Sequence, residues 1–326
     1  MRTPAWERDG CVALAMLLFI GLVGHAKPQA PASKDDQEPQ PFKIAVNVNL
    51  VVLSPTVRDR KGSFVSDLHE QDFEVYEDGV RQSIRLFKHE DMPVTVGLVV
   101  DHSGSMSHKI PDVIAAARTF ARTSNQEDQM FVVNFNEKVT LGLPDAMTFT
   151  DSPEELERAI SRIPATGQTA LYDALAVALD RLQTGSRDKK VLIVISDGGD
   201  NASTHSLAEV LKMAGQSSAL VYTIGIFEAQ DPDQNPGVLR HLAQATGGEA
   251  YFPEQLDEVV PACERIARDL RHQYTIGYAS SSAARPGVYR AIRVVANGTA
   301  GKLFVRARSG YIAGGEQLPA KHEIAK

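Results

Sequence analysis

Cysteine is almost absent: Cys11 and Cys263 are the only two in 326 residues. Neither a disulfide framework nor a cysteine-built zinc site can therefore form within one chain. Positive charge is also short, with 34 Lys and Arg against 41 Asp and Glu and a formal net charge of −7. That leaves no basic footprint for nucleic acid, and a nucleic-acid partner is excluded. Past Ala26 no stretch approaches the roughly 18 consecutive apolar residues of a spanning helix, so no membrane span is expected in the mature chain. Catalytic signatures are missing too: there is no G-x-S-x-G elbow, H-E-x-x-H pair or Walker A loop, and the nine histidines include no pair four apart. Ser103 with His102 as its base is a poor nucleophile, because adjacent residues on a turn point apart. The chain is not expected to be an enzyme. What is present is a globular composition, 43% apolar with 24 glycines, at a length that suggests about two domains of roughly 150 residues.

The N-terminus reads as an address. Cys11 to Val23 is an unbroken apolar run, and Gly24-His25-Ala26 offers a cleavage point after Ala26. As a helix that run reaches about 20 Å, short of a bilayer core. Residues 1–26 are therefore expected to be a signal peptide that sends the chain to the periplasm or outside, with a tether in its place if the signal stays uncleaved. Cleavage removes Cys11 and leaves Cys263, expected to be a small buried apolar residue. Residues 27–41, rich in Pro, Gln and charge, read as a disordered linker.

From Phe42 the pattern has period two, with Ile44, Val46, Val48 and Leu50 alternating with smaller or polar residues. An Asp78-Gly79 turn joins Asp72–Glu77 to Ser83–Phe87, so residues 42–91 are expected to be a β module of three or four strands. Gln273–Tyr278, Tyr289–Val295 and Leu303–Ala307 are short strands within 272–314, followed by a tail over 315–326. Neither segment is long enough for its own core. The expected solution is one β-sandwich built from both, with residues 92–271 inserted between them.

The insert alternates strands and helices. Strands are expected at Val94–Val100, Met130–Phe135, Val191–Ser196 and Ala219–Phe227. Helices are expected at Ile110–Thr123, from Ser152-Pro153-Glu154-Glu155 onward, and at Ala170–Leu182, Leu207–Ala214, Val238–Ala245 and Glu254–Arg271. Ser152 is read as an N-cap with Glu155 closing a capping box. This rhythm gives an α/β fold with a doubly wound, mostly parallel sheet, whose sites lie at the carboxyl ends of its strands.

Oxygen-rich clusters fall at those ends. Asp101-His102-Ser103-Gly104-Ser105 follows the first strand of the insert, Thr166-Gly167-Gln168-Thr169 precedes a helix, and Ser196-Asp197-Gly198-Gly199-Asp200-Asn201 follows another strand. Asp101, Ser103 and Ser105 at i, i+2 and i+4 on a tight loop can turn one carboxylate and two hydroxyls to one point, a donor set suited to a hard cation. Asp200 and Asn201 are read as turn residues, Asp173 as ordering the start of its helix, and His102 as facing solvent. The string Asp231–Gly237 spells part of a calcium loop but has Pro236 where the loop needs glycine, and is read as a polar loop. Asn201-Ala202-Ser203 and Asn297-Gly298-Thr299 are glycosylation sequons by spelling only.

Taken together, Asp101, Ser103, Ser105, Thr169 and Asp197 resemble the metal-ion-dependent adhesion site (MIDAS) of the von Willebrand factor type A domain, over residues 92–271. The flanking segments Val57–Gly62, Asp72–Gly79 and Arg306–Tyr311 resemble the exported von Willebrand factor A-related proteins of acidobacteria. The resemblance implies that Ser103, Ser105 and Thr169 supply hydroxyl ligands to Mg²⁺, with Mn²⁺ or Ca²⁺ as alternatives, while Asp101 and Asp197 act largely through bound waters. It implies an adhesion-type binding module whose metal is completed by a carboxylate from a protein or surface ligand. A second reading is an envelope scaffold, structural or regulatory, in which the metal only stabilises the loops. Oligomeric state is not encoded in any of these features.

Overall fold

The computed structural model describes residues 49–228, 232–282, 285–298, 301–314 and 318–319, all within one compact unit, Val46–Lys326. The expected signal peptide, linker and first alternating residues up to 48 lie outside the described residues, as does the tail after Pro319.

Five strands precede the insert: β1 (Asn49–Leu53), β2 (Thr56–Arg58), β3 (Phe73–Glu77), β4 (Val80–Gln82) and β5 (Ile84–Lys88). β3 shows the cause plainly: Phe73, Val75 and Glu77 are buried while Glu74 and Tyr76 are only half-buried, as the two-residue period requires. The turn after it holds Asp78 at φ 48° and Gly79 at φ 82°, the paired left-handed conformation that Asp-Gly favours in a two-residue hairpin.

The insert then runs β6 (Val94–Asp101), α1 (Ile110–Thr123), β7 (Gln129–Phe135), β8 (Val139–Leu141), α2 (Pro153–Ile160), α3 (Leu171–Gln183), β9 (Lys189–Ser196), α4 (Leu207–Gln216), β10 (Leu220–Gly225), α5 (Pro236–Thr246), β11 (Ala250–Tyr251) and α6 (Val259–Arg271). Its six-stranded sheet has the order β11-β10-β9-β6-β7-β8, parallel except for β8, which returns antiparallel on β7. β6 and β9 are buried along their whole length, as central strands covered on both faces must be. α1 packs against α2 and α6, while α3 packs on α4 and α4 on α5, which gives the two helix layers of a doubly wound fold. Two expectations shift. The last helix begins at Val259 after a short 3-10 turn over Leu256–Glu258, and β8 and β11 are too short to leave a periodic trace. At α2, Ser152 Oγ accepts from Glu155 N–H as expected, but the Glu155 carboxylate pairs with Arg158 instead of closing the box.

After α6 come β12 (Thr275–Tyr278), β13 (Tyr289–Ala296), β14 (Phe304–Arg306), β15 (Gly310–Ile312) and β16 (Leu318–Pro319). They interleave with the N-terminal strands in two four-stranded sheets, β16-β1-β12-β5 and β15-β13-β3-β4, and a ribbon β14-β2. Val51, Leu53, Phe73, Val75, Tyr274, Ile276, Tyr278, Ile292 and Tyr311 form one apolar cluster drawn from both sheets. Leu318 pairs with Leu50, so the paired strands run beyond the expected limit at 314.

Candidate functional site

The chain leaves β6 through α1 to β7 on one side and leaves β9 through α4 to β10 on the other. The carboxyl ends of β6 and β9 therefore flank a topological switch point, where the diverging connections open a crevice. Asp101 is the last residue of β6 and Asp197 is the first beyond β9.

Asp101 is fully buried. One carboxylate oxygen accepts the Ser103 N–H at 2.8 Å, and the other accepts the Ser196 hydroxyl at 2.6 Å. Burial, with the neighbouring Asp197 charge, pushes its pKa up to about 6 despite those hydrogen bonds. Ser103 Oγ lies 3.2 Å from Ser105 Oγ, and the Ser105 hydroxyl donates to Asp197 Oδ2 at 2.6 Å. Gly199 N–H holds the other Asp197 oxygen at 3.0 Å. Four of the five residues singled out in the sequence are thus joined in one hydrogen-bonded chain across 96 positions of sequence, from Asp101 to Asp197.

Thr169, the fifth, is tied in through its backbone. Its N–H donates to Asn201 Oδ1 at 2.9 Å, and its carbonyl accepts from Asn201 and Ala202, each at 3.0 Å. Its hydroxyl has no hydrogen-bond partner among the described residues. The second loop is laced to the first by Thr166 N–H donating to His102 O and Gly104 N–H to Gly167 O. Gly198 keeps φ at 81°, and a Cβ there would lie 2.4 Å from Asn235 O, so only glycine lets the β9 loop turn beneath the 233–235 segment.

Several neighbouring residues act differently from the sequence reading. His102 is fully buried, with its ring nitrogens 3.2 Å from Val100 O and 2.9 Å from Ile160 O; the ring fills the gap under α2 instead of facing solvent. Asp173 does not order its own helix start: it accepts the N–H groups of Thr204 and His205. The start of α3 is capped from the third loop, by Asp200 accepting Tyr172 N–H and Ser203 Oγ accepting Asp173 N–H. Asp200 and Asn201 thus stitch loops together. Ser196, which clamps Asp101, and Lys109, whose buried ammonium reaches Ile226 O at 3.0 Å, were not singled out; neither stands in a pattern that sets it apart from an ordinary strand end or helix start. Cys263 is buried as expected.

The donor set suits a hard divalent cation: two carboxylates and three hydroxyls, without histidine or thiol. Among the described residues no group of three or more His, Cys, Asp or Glu converges, here or elsewhere; this site offers two carboxylates, and hydroxyls make up the rest.

Comparison with known proteins bears on the domain that carries these loops. Residues 96–199 match the family model for the von Willebrand factor type A domain. A curated relative, an uncharacterized protein of Synechocystis sp., is 25% identical over 175 residues, covering 52% of this chain and 40% of its own length. The chain therefore spans about two fifths of the curated relative it matches. A solved von Willebrand factor type A structure from Catenulispora acidiphila superposes with a TM-score of 0.50 at 15% identity, over 83% of this chain and 74% of that one. Proximal thread matrix protein 1 of the mussel byssus, solved with a zinc-occupied MIDAS motif, gives a TM-score of 0.47 at 18% identity, over 60% and 50%. Residues 96–199 belong to the von Willebrand factor type A domain family.

Proposed function

We propose that this protein is an exported binding module that uses a divalent cation, Mg²⁺ first among the candidates, to engage a carboxylate on a protein or surface ligand. The observation that carries this reading is the convergence of Ser103 Oγ, Ser105 Oγ and Asp197 at the switch point, beside a buried Asp101 whose charge lacks a cationic partner among the described residues. Ser103, Ser105 and Thr169 would hold the ion through hydroxyls, with Asp101 and Asp197 behind them. An ion with few direct anionic ligands keeps the electrophilicity to bind one more carboxylate. Nothing in this reading requires catalysis, and no helix among the described residues is long and apolar enough to cross a membrane. We take residues 92–271 as the functional domain and the flanking strands as its mount.

Calorimetric titration and thermal unfolding of the full chain with Mg²⁺, Mn²⁺ and Ca²⁺, for wild type and Asp101→Ala, test the reading. Ion-dependent stabilisation that vanishes in the variant supports it; no heat and no shift in either protein overturns it. The double variant Asp101→Ala with Ser103→Ala then separates binding from scaffolding. Loss of ligand capture with an intact fold supports the adhesion reading, and capture that persists favours the scaffold.

A further inference from the structure

His102 stands between two of the candidate ion ligands, Asp101 and Ser103, yet its ring is wholly buried. A polar residue taken out of water has to find partners inside the protein, and every polar atom of His102 has one. Its N–H donates to Phe135 O, at the end of β7, at 2.6 Å, and its carbonyl accepts Thr166 N–H at 2.8 Å. In the ring, Nε2 lies 2.9 Å from Ile160 O and Nδ1 lies 3.2 Å from Val100 O. A carbonyl oxygen only accepts, so we assign the ring hydrogen to Nε2, the nearer of the two.

Two of these partners bracket one stretch of chain. Ile160 is the last residue of α2, and Thr166 stands three residues before Thr169. Both are held on His102, so residues 161–165 form a loop closed at its base by the residue between Asp101 and Ser103. The far side of that stretch is fixed separately, by Gly104 N–H on Gly167 O at 3.2 Å and Ala170 N–H on Asn136 O at 2.8 Å.

The end of α2 is itself docked. Its last carbonyls have no partner within the helix; Ala159 O accepts the amide of buried Asn134 at 2.7 Å, and Ile160 O takes the His102 ring. The Thr169 hydroxyl makes no hydrogen bond to Ser103 or Ser105, so the offset between the first and second loops is set by these ties. Among those that join the first loop to the chain feeding Thr169, the His102 ring is the one made by a side chain.

We propose that His102 is a positioning residue for the ion site: its ring, anchored on Ile160 O, holds Asp101, Ser103 and Ser105 at a fixed offset from Thr169 before any ion arrives. The inference rests on the ligand roles proposed above for those residues, while the order it describes belongs to the ion-free loops. A group that orients metal donors without being one typically costs about 10- to 100-fold in affinity when it is lost.

The test is amide hydrogen exchange of the full chain in EDTA, for wild type, His102→Gln, His102→Asn and His102→Leu, with urea unfolding of each to give its global stability. Glutamine can place an amide N–H where Nε2 stands, asparagine reaches only the Nδ1 position, and leucine offers no donor. Support is exchange of segments 103–105 and 166–169 in His102→Leu and His102→Asn that is roughly tenfold faster than their loss of global stability accounts for, with His102→Gln close to wild type. Mg²⁺ affinity by calorimetry is expected to follow the same order, with a loss of about tenfold in the leucine and asparagine variants. Loop exchange that moves only with global stability overturns the proposal. So does a glutamine variant no better than leucine, or an Mg²⁺ affinity unchanged in His102→Leu. Should the leucine variant not fold, the glutamine and asparagine pair makes the same comparison. A wild type that binds no divalent ion overturns the proposed function, and exchange in EDTA still decides whether His102 orders the loops.

Discussion

Lys189 opens β9 with 7% of its surface exposed, and its ammonium donates to Leu270 O at 3.3 Å. Burial, with Arg271 adding to it, pulls its pKa down from 10.5 to about 8, against the opposing pull of Asp91, Asp269 and Asp128. Between those two values the unfolded chain binds a proton that the folded chain does not, so stability rises with pH from about 8 to 10.5 and is lowered at neutral pH. Lys189→Met is expected to raise the unfolding free energy at pH 7 by about 1–3 kcal/mol and to flatten that rise; urea unfolding across this range measures both. Asp269 is a buried charge that has its counter-charges beside it. It is fully buried on α6 and hydrogen-bonds to Arg306 and Tyr222, with Arg58 at 3.4 Å. Asp269→Ala leaves two guanidiniums without their buried counter-charge, and a loss of about 3–5 kcal/mol is expected in the same urea assay.

At the scale of elements, α3 and the loop before α4 order one another. The loop caps α3 through Asp200 and Ser203, and α3 returns Asp173 to the N–H groups of Thr204 and His205. Burial acts to raise the Asp173 pKa, but the hydrogen bonds from Thr204 and His205 outweigh it and bring it from 3.8 to about 2. A carboxylate depressed in this way stabilises the fold above its unfolded pKa, and that contribution is lost as pH falls from about 4 through 2. In Asp173→Asn this part of the acid sensitivity is expected to disappear, and the divalent-ion affinity proposed above is expected to fall at pH 7 because the loop carrying Asp197 loses its brace. Acid titration followed by circular dichroism, with calorimetry at pH 7, checks both halves. The local signals of α2 and of the Asp78-Gly79 hairpin could be read from a few adjacent residues, because caps and turns are decided by neighbours in sequence. The reciprocal caps of α3 could not, since donor and acceptor lie about thirty positions apart.

For the whole molecule, the chain leaves a β core, builds the α/β domain and returns to finish that core: β12 lies between β1 and β5, and β13 between β15 and β3. The ribbon of β2 and β14 carries Arg58 and Arg306 onto Glu249 and Asp269 of the insert. Both parts therefore share buried charges. Excised residues 92–271 lose both arginines and leave the Asp269 carboxylate beside Tyr222 without either guanidinium, so the fragment is expected to be less stable than the same domain in the full chain. Asp269→Leu is expected to recover part of that loss, because it removes the uncompensated charge. Thermal unfolding of the fragment with and without the substitution decides this; a fragment as stable as the full chain, and unaffected by Asp269→Leu, contradicts it.

The fold class and five candidate residues at strand and helix ends could be read from the chain alone. Alternation and apolar runs are local consequences of strand and helix geometry, and Asp101, Ser103 and Ser105 stand within one loop at a strand end. The tertiary structure decided what depends on distant residues meeting. It buried His102 under α2, made Ser196 the clamp on Asp101, exchanged the roles expected of Asp173 and Asp200, and tied the buried Arg308 to the carbonyl oxygens of Gly310, Ser217 and Gly215. Those outcomes turn on which groups lose water together and which partners they then find. That is a property of packing between segments far apart in the chain, and no short window of sequence contains it.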